Sequence, residues 1–399
     1  MFLLLVALVV AGCGKTGRTQ SPGGGPLRKL TPVERAGAVT VTTRNTTRVG
    51  GTGAAVDAAA VARVGYPGLT PASRPQAVVL VDRRNWQAAL AASVLAGAPL
   101  HAPILFSEGA TLPQVSLEAL EAMHPTGATA LGGAQVISIA TAAVVPASYR
   151  VRRVPGGAPA LLAAQIAQLW SSAAGAAQPR RAIVLADSAP PALQMPLAGL
   201  AAESGAPILY ASGAQLPAAT ESALSALHRP AIFTSAAEQI ATGALGRLAR
   251  LGSVAAIPAG GQNGITTAQL NSIEVARYTD GSFGWGVKEP GHGLVFANPS
   301  RPLDAPAAAL LSASGQYGPL LLLEGAGAIG QPLSTYLTDL QPAYSSAPEF
   351  QPVRGVYNHG WLIGDEATIS LATQAQIDSL LEISPRSQSS GEASVLRSE

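Results

Sequence analysis

The stretch that decides the fold runs from Val78 to Ser138 and reads VVLVDRRNWQAALAASVLAGAPLHAPILFSEGATLPQVSLEALEAMHPTGATALGGAQVIS. A β-branched run at Val78–Val81 precedes a polar loop and an Ala/Leu-rich helix predicted at Trp86–Leu95. A second apolar run follows at Pro103–Phe106, then a second helix predicted at Gln114–Met123 and a third apolar run. Strands of four to six residues alternating with helices of about ten predict βαβ units around a parallel sheet.

The same order of segments recurs further along the chain. AIVLAD at Ala182–Asp187 repeats AVVLVD at Ala77–Asp82, roughly 105 residues earlier. GAPILY at Gly205–Tyr210 repeats HAPILF at His101–Phe106 at nearly the same distance. This period is too long for a solenoid of small units and suits a small domain.

A third copy is fainter. GPLLLL at Gly318–Leu323 matches the second strand of the unit, and LIGDEATIS at Leu362–Ser370 matches LGGAQVIS at Leu131–Ser138. We therefore predict an α/β fold with three tandem units, each built on a short parallel sheet. The second strands are expected to lie centrally beside the first ones, and to begin at the buried prolines 103, 207 and 319.

The order of these segments resembles the cell wall binding repeat 2 family of Gram-positive surface proteins. The resemblance rests on the Ala/Leu helix, the Ala-Pro-Ile-Leu strand, the Leu-Pro helix start and the Gly-Gly…Val-Ile-Ser ending, and covers residues 40–383. It implies Rossmann-like units around a pseudo-threefold axis that attach non-covalently to a wall polymer, often an anionic one. The acid of the family's first helix falls at Ala88, Ala192 and Asp304, so only the third copy keeps it, and Thr234-Ser235 replaces the Gly-Gly pair in copy two.

The beginning of the sequence predicts a lipoprotein anchor. Phe2–Gly12 is an apolar run of eleven residues, about 17 Å long as a helix, whereas a membrane span needs about 30 Å. The run ends in Val10-Ala-Gly-Cys13, which looks like a lipobox, so we expect a cleaved signal peptide and a lipidated Cys13. The alternative is a buried first helix with a chance cysteine.

These observations divide the chain into six predicted segments. They are a signal peptide (1–12), a lipidated cysteine and flexible tether (13–39), wall-binding repeats 1 to 3 (40–146, 147–261 and 262–383) and a disordered tail (384–399). The predicted location is outside the cytoplasm, anchored by lipid to the bacterial membrane and facing the wall.

Composition and motifs exclude several function classes. The formal net charge of +2 is too small to indicate nucleic-acid binding. One cysteine excludes an intramolecular disulfide framework and a cysteine-rich metal site. The five histidines are scattered without HExxH spacing, and no GxSxG nucleophile motif occurs. We therefore expect no cofactor, no metal and no catalysis.

The candidate binding residues follow the first strand of two copies. Ligands of open α/β sheets bind beyond the carboxyl ends of the strands. Copy one places Asp82-Arg-Arg-Asn85 there and copy three Asn298-Pro-Ser-Arg301, whereas Ser188-Ala-Pro-Pro191 of copy two carries no cation. The predicted polymer-binding residues are Arg83, Arg84, Asn85, Ser300 and Arg301. The alternative is that these arginines are simply solvated.

Other features have a structural explanation as well as a functional one. Gly132-Gly133 suits a tight turn or a phosphate cradle. Trp285 and Trp361 suit packing or stacking on sugars. His124 and His228 occupy equivalent helix C-termini, where a positive charge is favourable.

The sequence therefore predicts a surface lipoprotein whose three repeats bind a cell-wall polymer without catalysis. Two alternatives remain open. A solute-binding lipoprotein would have two lobes with hinge strands crossing between them. An enzyme acting on wall glycans is the third possibility.

Overall fold

The computed structural model describes residues 39–213, 215–261, 267–313, 318–344 and 356–385. The predicted signal peptide, Cys13 and most of the predicted tether and tail lie outside these residues. The strands in the described part are β1 (Val39–Thr42), β2 (Thr46–Val49), β3 (Val78–Asp82), β4 (Ile104–Ser107), β5 (Val136–Ile139), β6 (Val151–Val154), β7 (Arg181–Ala186), β8 (Ile208–Ala211), β9 (Ala231–Ser235), β10 (Ser253–Ile257), β11 (Gly293–Ala297), β12 (Leu320–Leu322), β13 (Ala343–Tyr344), β14 (His359–Ile363) and β15 (Ser384–Pro385).

Helices separate most of these strands. The α-helices of the described part are α1 (Ala54–Gly65), α2 (Trp86–Ala92), α3 (Gln114–Met123), α4 (Pro159–Ala174), α5 (Pro191–Gln194), α6 (Pro196–Ser204), α7 (Ala218–Ala226), α8 (Thr242–Leu251), α9 (Ala268–Arg277), α10 (Asp304–Ala313), α11 (Gln331–Asp339) and α12 (Leu371–Leu381). The helix predicted at Gln114–Met123 is confirmed, and the helix predicted at Trp86–Leu95 continues as a 3₁₀ turn after Ala92. None of the described helices is long and apolar enough to cross a bilayer.

Most strands belong to three sheets that share one strand order. The first sheet has the order β4-β3-β5-β6, the second β8-β7-β9-β10 and the third β12-β11-β14-β2-β1. Every pairing in these sheets is parallel except that of β1 with β2. The predicted mixed α/β class with short parallel sheets is confirmed, whereas the pseudo-threefold arrangement of Rossmann-like units stays a prediction.

A proline precedes the second strand of each sheet, close to the predicted start. Pro103, Pro207 and Pro319 are buried, and β4, β8 and β12 begin one residue later. Their carbonyl oxygens accept hydrogen bonds of 2.9–3.0 Å from the N–H groups of the neighbouring strand. The expectation that these strands are central is wrong, because each lies at a sheet edge. Proline has no N–H to donate, so an edge position suits it.

The strand pairing also corrects the predicted match of the third copy. Leu362 pairs with Phe296, as Ser138 pairs with Leu80 and Thr234 with Val184. Leu362 therefore occupies the place of Ser138 and not that of Leu131. By the same register, Thr234 matches Ser138 and does not replace a glycine. The Gly-Gly pair instead forms the turn that leads into β5, with both glycines at positive φ.

The third sheet is completed by the beginning of the described chain. β2 lies between β1 and β14, in the place that β6 occupies in the first sheet and β10 in the second. Strands about 310 residues apart in sequence therefore pair directly, with Thr47 opposite Trp361. Each of these last strands is followed by a helix (α1, α4 or α9) that packs on the next sheet. Consecutive segments of the chain are thus interlocked.

Small residues let the central helices approach closely. α6 packs along α10, and both contact the 3₁₀ turn that follows α2. Gly97 lies against the backbone of Ala202, and Gly199 lies against Ser312, so a side chain at either glycine would collide. This packing explains why a chain with only 12% charged residues is rich in alanine.

Candidate functional site

The first candidate loop follows β3 and exposes a paired arginine. Arg84 Nη2 lies 2.7 Å from Oδ2 of Asp82, and the backbone N–H of Arg84 donates to Oδ1 at 3.0 Å. The hydrogen bond from the Arg84 side chain lowers the pKa of Asp82 below its usual value. The Arg84 side chain remains 72% exposed. Arg84 therefore presents a cation to solvent even though one edge of it is neutralised.

Its two sequence neighbours differ in role. Arg83 Nε lies 3.0 Å from Oε1 of Glu108, and both side chains are about half exposed. Asn85 caps α2, because its side-chain oxygen accepts a hydrogen bond from Ala88 N–H. Arg83 is thus half exposed and paired with Glu108, whereas the side chain of Asn85 caps α2.

The second candidate loop follows β11, and its side chains bind other residues of the protein. Ser300 donates to Oδ1 of Asn298 at 2.8 Å, so its hydroxyl stabilises the turn. Arg301 Nε lies 3.1 Å from Oδ2 of Asp304, and its Nη2 also binds Asp57. The side chain of Arg301 is only 24% exposed. Two acids therefore hold Arg301 within the fold, which does not fit the alternative that it is simply solvated. Its contact with a polymer stays a prediction.

Asp57, Arg301 and Asp304 form what we call the acid cluster. Asp57 and Asp304 are almost completely buried, and Gly51 N–H donates to Oδ1 of Asp57 at 2.7 Å. Burial, with the neighbouring charge of Asp304, raises the pKa of Asp57 to about 8. Burial also raises the pKa of Asp304 to about 6, against the opposing effect of Arg301. At neutral pH one retained proton therefore makes the cluster neutral.

The acid cluster joins two distant parts of the chain. Asp57 belongs to α1, which packs on α10, and Asp304 is the first residue of α10. Asp304 is the acid that the family resemblance singled out in the third copy. Its contacts here are internal, so its observed role is to connect helices.

Sequence reasoning missed a second buried arginine, Arg48 on β2. Its Nε donates to Gln374 at 3.0 Å, and its Nη1 donates to the carbonyl oxygens of Gly364 and Asp365. Burial lowers the pKa of Arg48. Nothing in the sequence around Arg48 indicates the partner helix α12.

Sequence reasoning also missed the two exposed arginines of β6. The side chains of Arg152 and Arg153 form no ion pair or hydrogen bond with any described residue. The signal was present, since Tyr149–Pro155 reads YRVRRVP. Its two adjacent cations lie on an edge strand, where no neighbouring strand covers them.

The other singled-out residues have mainly structural surroundings. His124 ends α3 in the left-handed region, and His228 adopts the same conformation just after α7. Trp285 and Trp361 are partly buried against the core. Among the described residues, no group of three or more histidine, cysteine or acidic side chains could hold a metal ion.

Two solved structures have a similar fold. Cwp6 from Clostridium difficile matches with a TM-score of 0.63 and 16% identity, over 85% of this chain and 48% of that one. Cwp8 from the same organism matches with a TM-score of 0.62 and 16% identity, over 85% of this chain and 52% of that one. No family model matches the sequence, and no curated protein matches it either.

The fold is therefore of a kind found in C. difficile cell wall proteins. This chain spans about half the length of both neighbours. Membership of the cell wall binding repeat 2 family stays a prediction.

Proposed function

We propose that the protein is a non-catalytic cell-surface protein that binds a cell-wall polymer. The observation that carries the proposal is the fold likeness to two C. difficile cell wall proteins over 85% of the chain. Three sheets with one strand order also fit three repeats around a pseudo-threefold axis better than the two lobes expected of a solute-binding lipoprotein.

The exposed arginines after β3 are the proposed contacts for an anionic polymer. Arg84 and Arg83 are 72% and 50% exposed. Asn85, Ser300 and Arg301 are engaged within the fold, so their proposed contribution is to shape the loops. The cations of the binding surface therefore come mainly from the first sheet.

Co-sedimentation with purified sacculi tests this function. We expect the protein to sediment with intact sacculi and to remain in solution when the accessory polymers have been stripped. Arg83→Gln/Arg84→Gln should weaken binding severalfold at 0.1 M salt, where charges act over about 10 Å, and much less at 1 M, where they act over about 3 Å. Arg63→Gln/Arg250→Gln removes the same charge from two other exposed sites and should bind normally. Equal binding to intact and stripped sacculi would contradict a polymer partner.

A lipid anchor is the second part of the proposal. It rests on the residues before Cys13, Val10-Ala-Gly, which suit lipoprotein processing. The wild-type protein should fractionate with membranes and carry a diacylglyceryl group on Cys13, and Cys13→Ala should carry none. An unmodified Cys13 in the mature wild-type protein, seen by mass spectrometry, would exclude the anchor.

The absence of catalysis is also a proposal. In the described residues, His359 Nε2 lies 3.1 Å from Thr47 Oγ1, which is the arrangement of a base beside a hydroxyl. Thr47 is only 8% exposed and pairs within the third sheet, so a substrate has little access to it. This contact is better explained as a link between β2 and β14.

A further inference from the structure

An apolar trough lies beside the second sheet. It has a volume of about 520 Å³, within the range of small-molecule sites. α4 and α7 form its walls, and Pro207 and Leu209 of the edge-strand region line it as well. No charged side chain lines the trough, and its polar groups are glutamine amides and serine hydroxyls.

The corresponding places beside the other two sheets are covered by the chain itself. At the first sheet, Tyr66 packs against the cluster that includes Met123, and Gly68 lies against the backbone of Ala122. At the third sheet, the Tyr336 hydroxyl donates to the carbonyl oxygen of Val287 at 2.8 Å. At the second sheet, the connection from α4 to β7 is only residues 175–180. The trough is open because this connection is too short to cover it.

A basic pocket of about 260 Å³ adjoins the trough along α4. Arg152 and Arg153 line it together with Ser172. Gln165 and Gln168 line both the pocket and the trough. The Oε1 atom of Gln165 is buried and accepts no hydrogen bond from the described residues. Rotation of the Gln165 amide would put its NH₂ group, a hydrogen-bond donor, at the position of Oε1.

We propose that the trough and the basic pocket together bind a long-chain fatty acid. Two guanidinium groups without ion-pair partners complement a carboxylate, which arginine binds through two parallel hydrogen bonds. The acyl chain passes between the Gln165 and Gln168 side chains and lies in the trough. Because Gln165 and Gln168 line both cavities, an acyl chain with its carboxylate in the pocket can continue directly into the trough.

Charge and apolar surface each select one part of this ligand. An uncharged alcohol of the same length gains the burial of its chain, at about 25 cal/mol per Å² of apolar surface, but leaves both arginines without a partner. A short carboxylate can pair with the arginines but buries no apolar surface in the trough. Only a molecule with both parts uses the whole site. This inference is independent of wall binding, which the proposed function assigns to other residues.

Isothermal titration calorimetry of the full chain tests the proposal. The probes are laurate below its micelle concentration, dodecanol and acetate. We expect saturable binding of laurate at least tenfold tighter than that of dodecanol, and no measurable binding of acetate at the same concentrations. Acetate binding as tightly as laurate would show a simple anion site and would overturn the proposal. Absence of saturable laurate binding, or equal affinity for laurate and dodecanol, would overturn it too.

Variants locate the site. Arg152→Gln/Arg153→Gln should weaken laurate binding at least tenfold and leave dodecanol binding unchanged. Ala226→Trp places a large ring at an exposed position on the trough wall and should abolish binding of both. Ala223→Trp fills the same wall from a second position, and circular dichroism shows which variants are folded. The control Arg63→Gln/Arg250→Gln should bind as the wild type does. Normal laurate binding by a folded tryptophan variant would contradict the assignment.

Discussion

The first and third sheets each carry an arginine at the same position, but one of the two arginines is exposed and the other is buried. In the first sheet, Arg153 of β6 pairs with Ser138 of β5. In the third sheet, Arg48 of β2 pairs with Leu362 of β14 at the corresponding position. Arg153 is exposed, whereas Arg48 is completely buried. The difference comes from the neighbours. β2 has β1 on its outer side and α12 reaches Arg48 through Gln374, whereas β6 is an edge strand and no helix separates it from β5.

The comparison shows that strand order alone does not decide what a position does. The same residue type is a structural cation in one sheet and a candidate ligand contact in another. A buried arginine needs its donors satisfied, because desolvation penalises an unpaired charge. At Arg48 a side-chain oxygen and two carbonyl oxygens accept from Nε and Nη1, whereas Nη2 is buried without an acceptor among the described residues. Arg153 is exposed, so its guanidinium keeps access to solvent.

Removing the two arginines should give the largest contrast. Arg48→Ala leaves a cavity and three acceptors without a donor, so we expect the free energy of unfolding to fall by about 3 kcal/mol or more. Arg153→Ala, at an exposed site, should change it by less than about 0.5 kcal/mol. Urea unfolding of both variants measures the difference. Equal effects would show that the two positions have the same surroundings.

The acid cluster should make stability depend on pH in a particular direction. The pKa of Asp57 is raised to about 8 in the folded protein, so between pH 6 and 8 the folded state holds a proton that the unfolded state has lost. Stability should therefore decrease as pH rises through this window, by up to about 1.4 kcal/mol per pH unit. Asp57→Asn should flatten this slope.

The control for this measurement is Asp280→Asn, which changes an exposed acid. It should leave the slope as in the wild type. Thermal unfolding followed from pH 5 to pH 9 provides the comparison. Equal slopes for the wild type and Asp57→Asn between pH 6 and 8 would contradict the raised pKa of Asp57.

The smallest expected effect concerns the residue that immediately follows β5, β9 and β14, the third strand of each sheet. Ala140, Ala236 and Gly364 occupy this place, with φ of 47°, 49° and 104°. Alanine is strained there, so Ala140→Gly should stabilise the protein by about 0.5 kcal/mol despite the added backbone entropy. Gly364→Ala should destabilise it by about 1 kcal/mol or more, since its Cβ would lie 2.7 Å from Thr368 Cγ2. Calorimetric melting of both variants measures these changes, and destabilisation by Ala140→Gly would contradict the argument.

Local patterns in the sequence predicted the local part of this structure. The Ala-Pro-Ile-Leu segments identified neighbouring parallel strands and the prolines that precede them, because alternation and chain breaks are local signals. The pairing of β2 with β14 was missed, because the two strands lie about 310 residues apart and no local sequence pattern in either one identifies its partner.

The candidate site was predicted to a similar extent. Arg83 and Arg84 were expected at the carboxyl end of a strand, and they lie there, exposed. The internal contacts of Arg301 were not predicted, because its partner Asp57 is 244 residues away in the sequence. A lone acid on an Ala-rich helix gives no indication of the loop that it faces.

The pairing of β2 with β14 can be measured most directly by hydrogen–deuterium exchange of the full chain. β2 is an internal strand, so the amides of Thr46–Val49 should exchange as slowly as those of His359–Ile363 and far more slowly than those of the edge strand Ser253–Ile257. Exchange of Thr46–Val49 within seconds, while His359–Ile363 stays protected, would show that β14 has another partner and would contradict the closure of the third sheet.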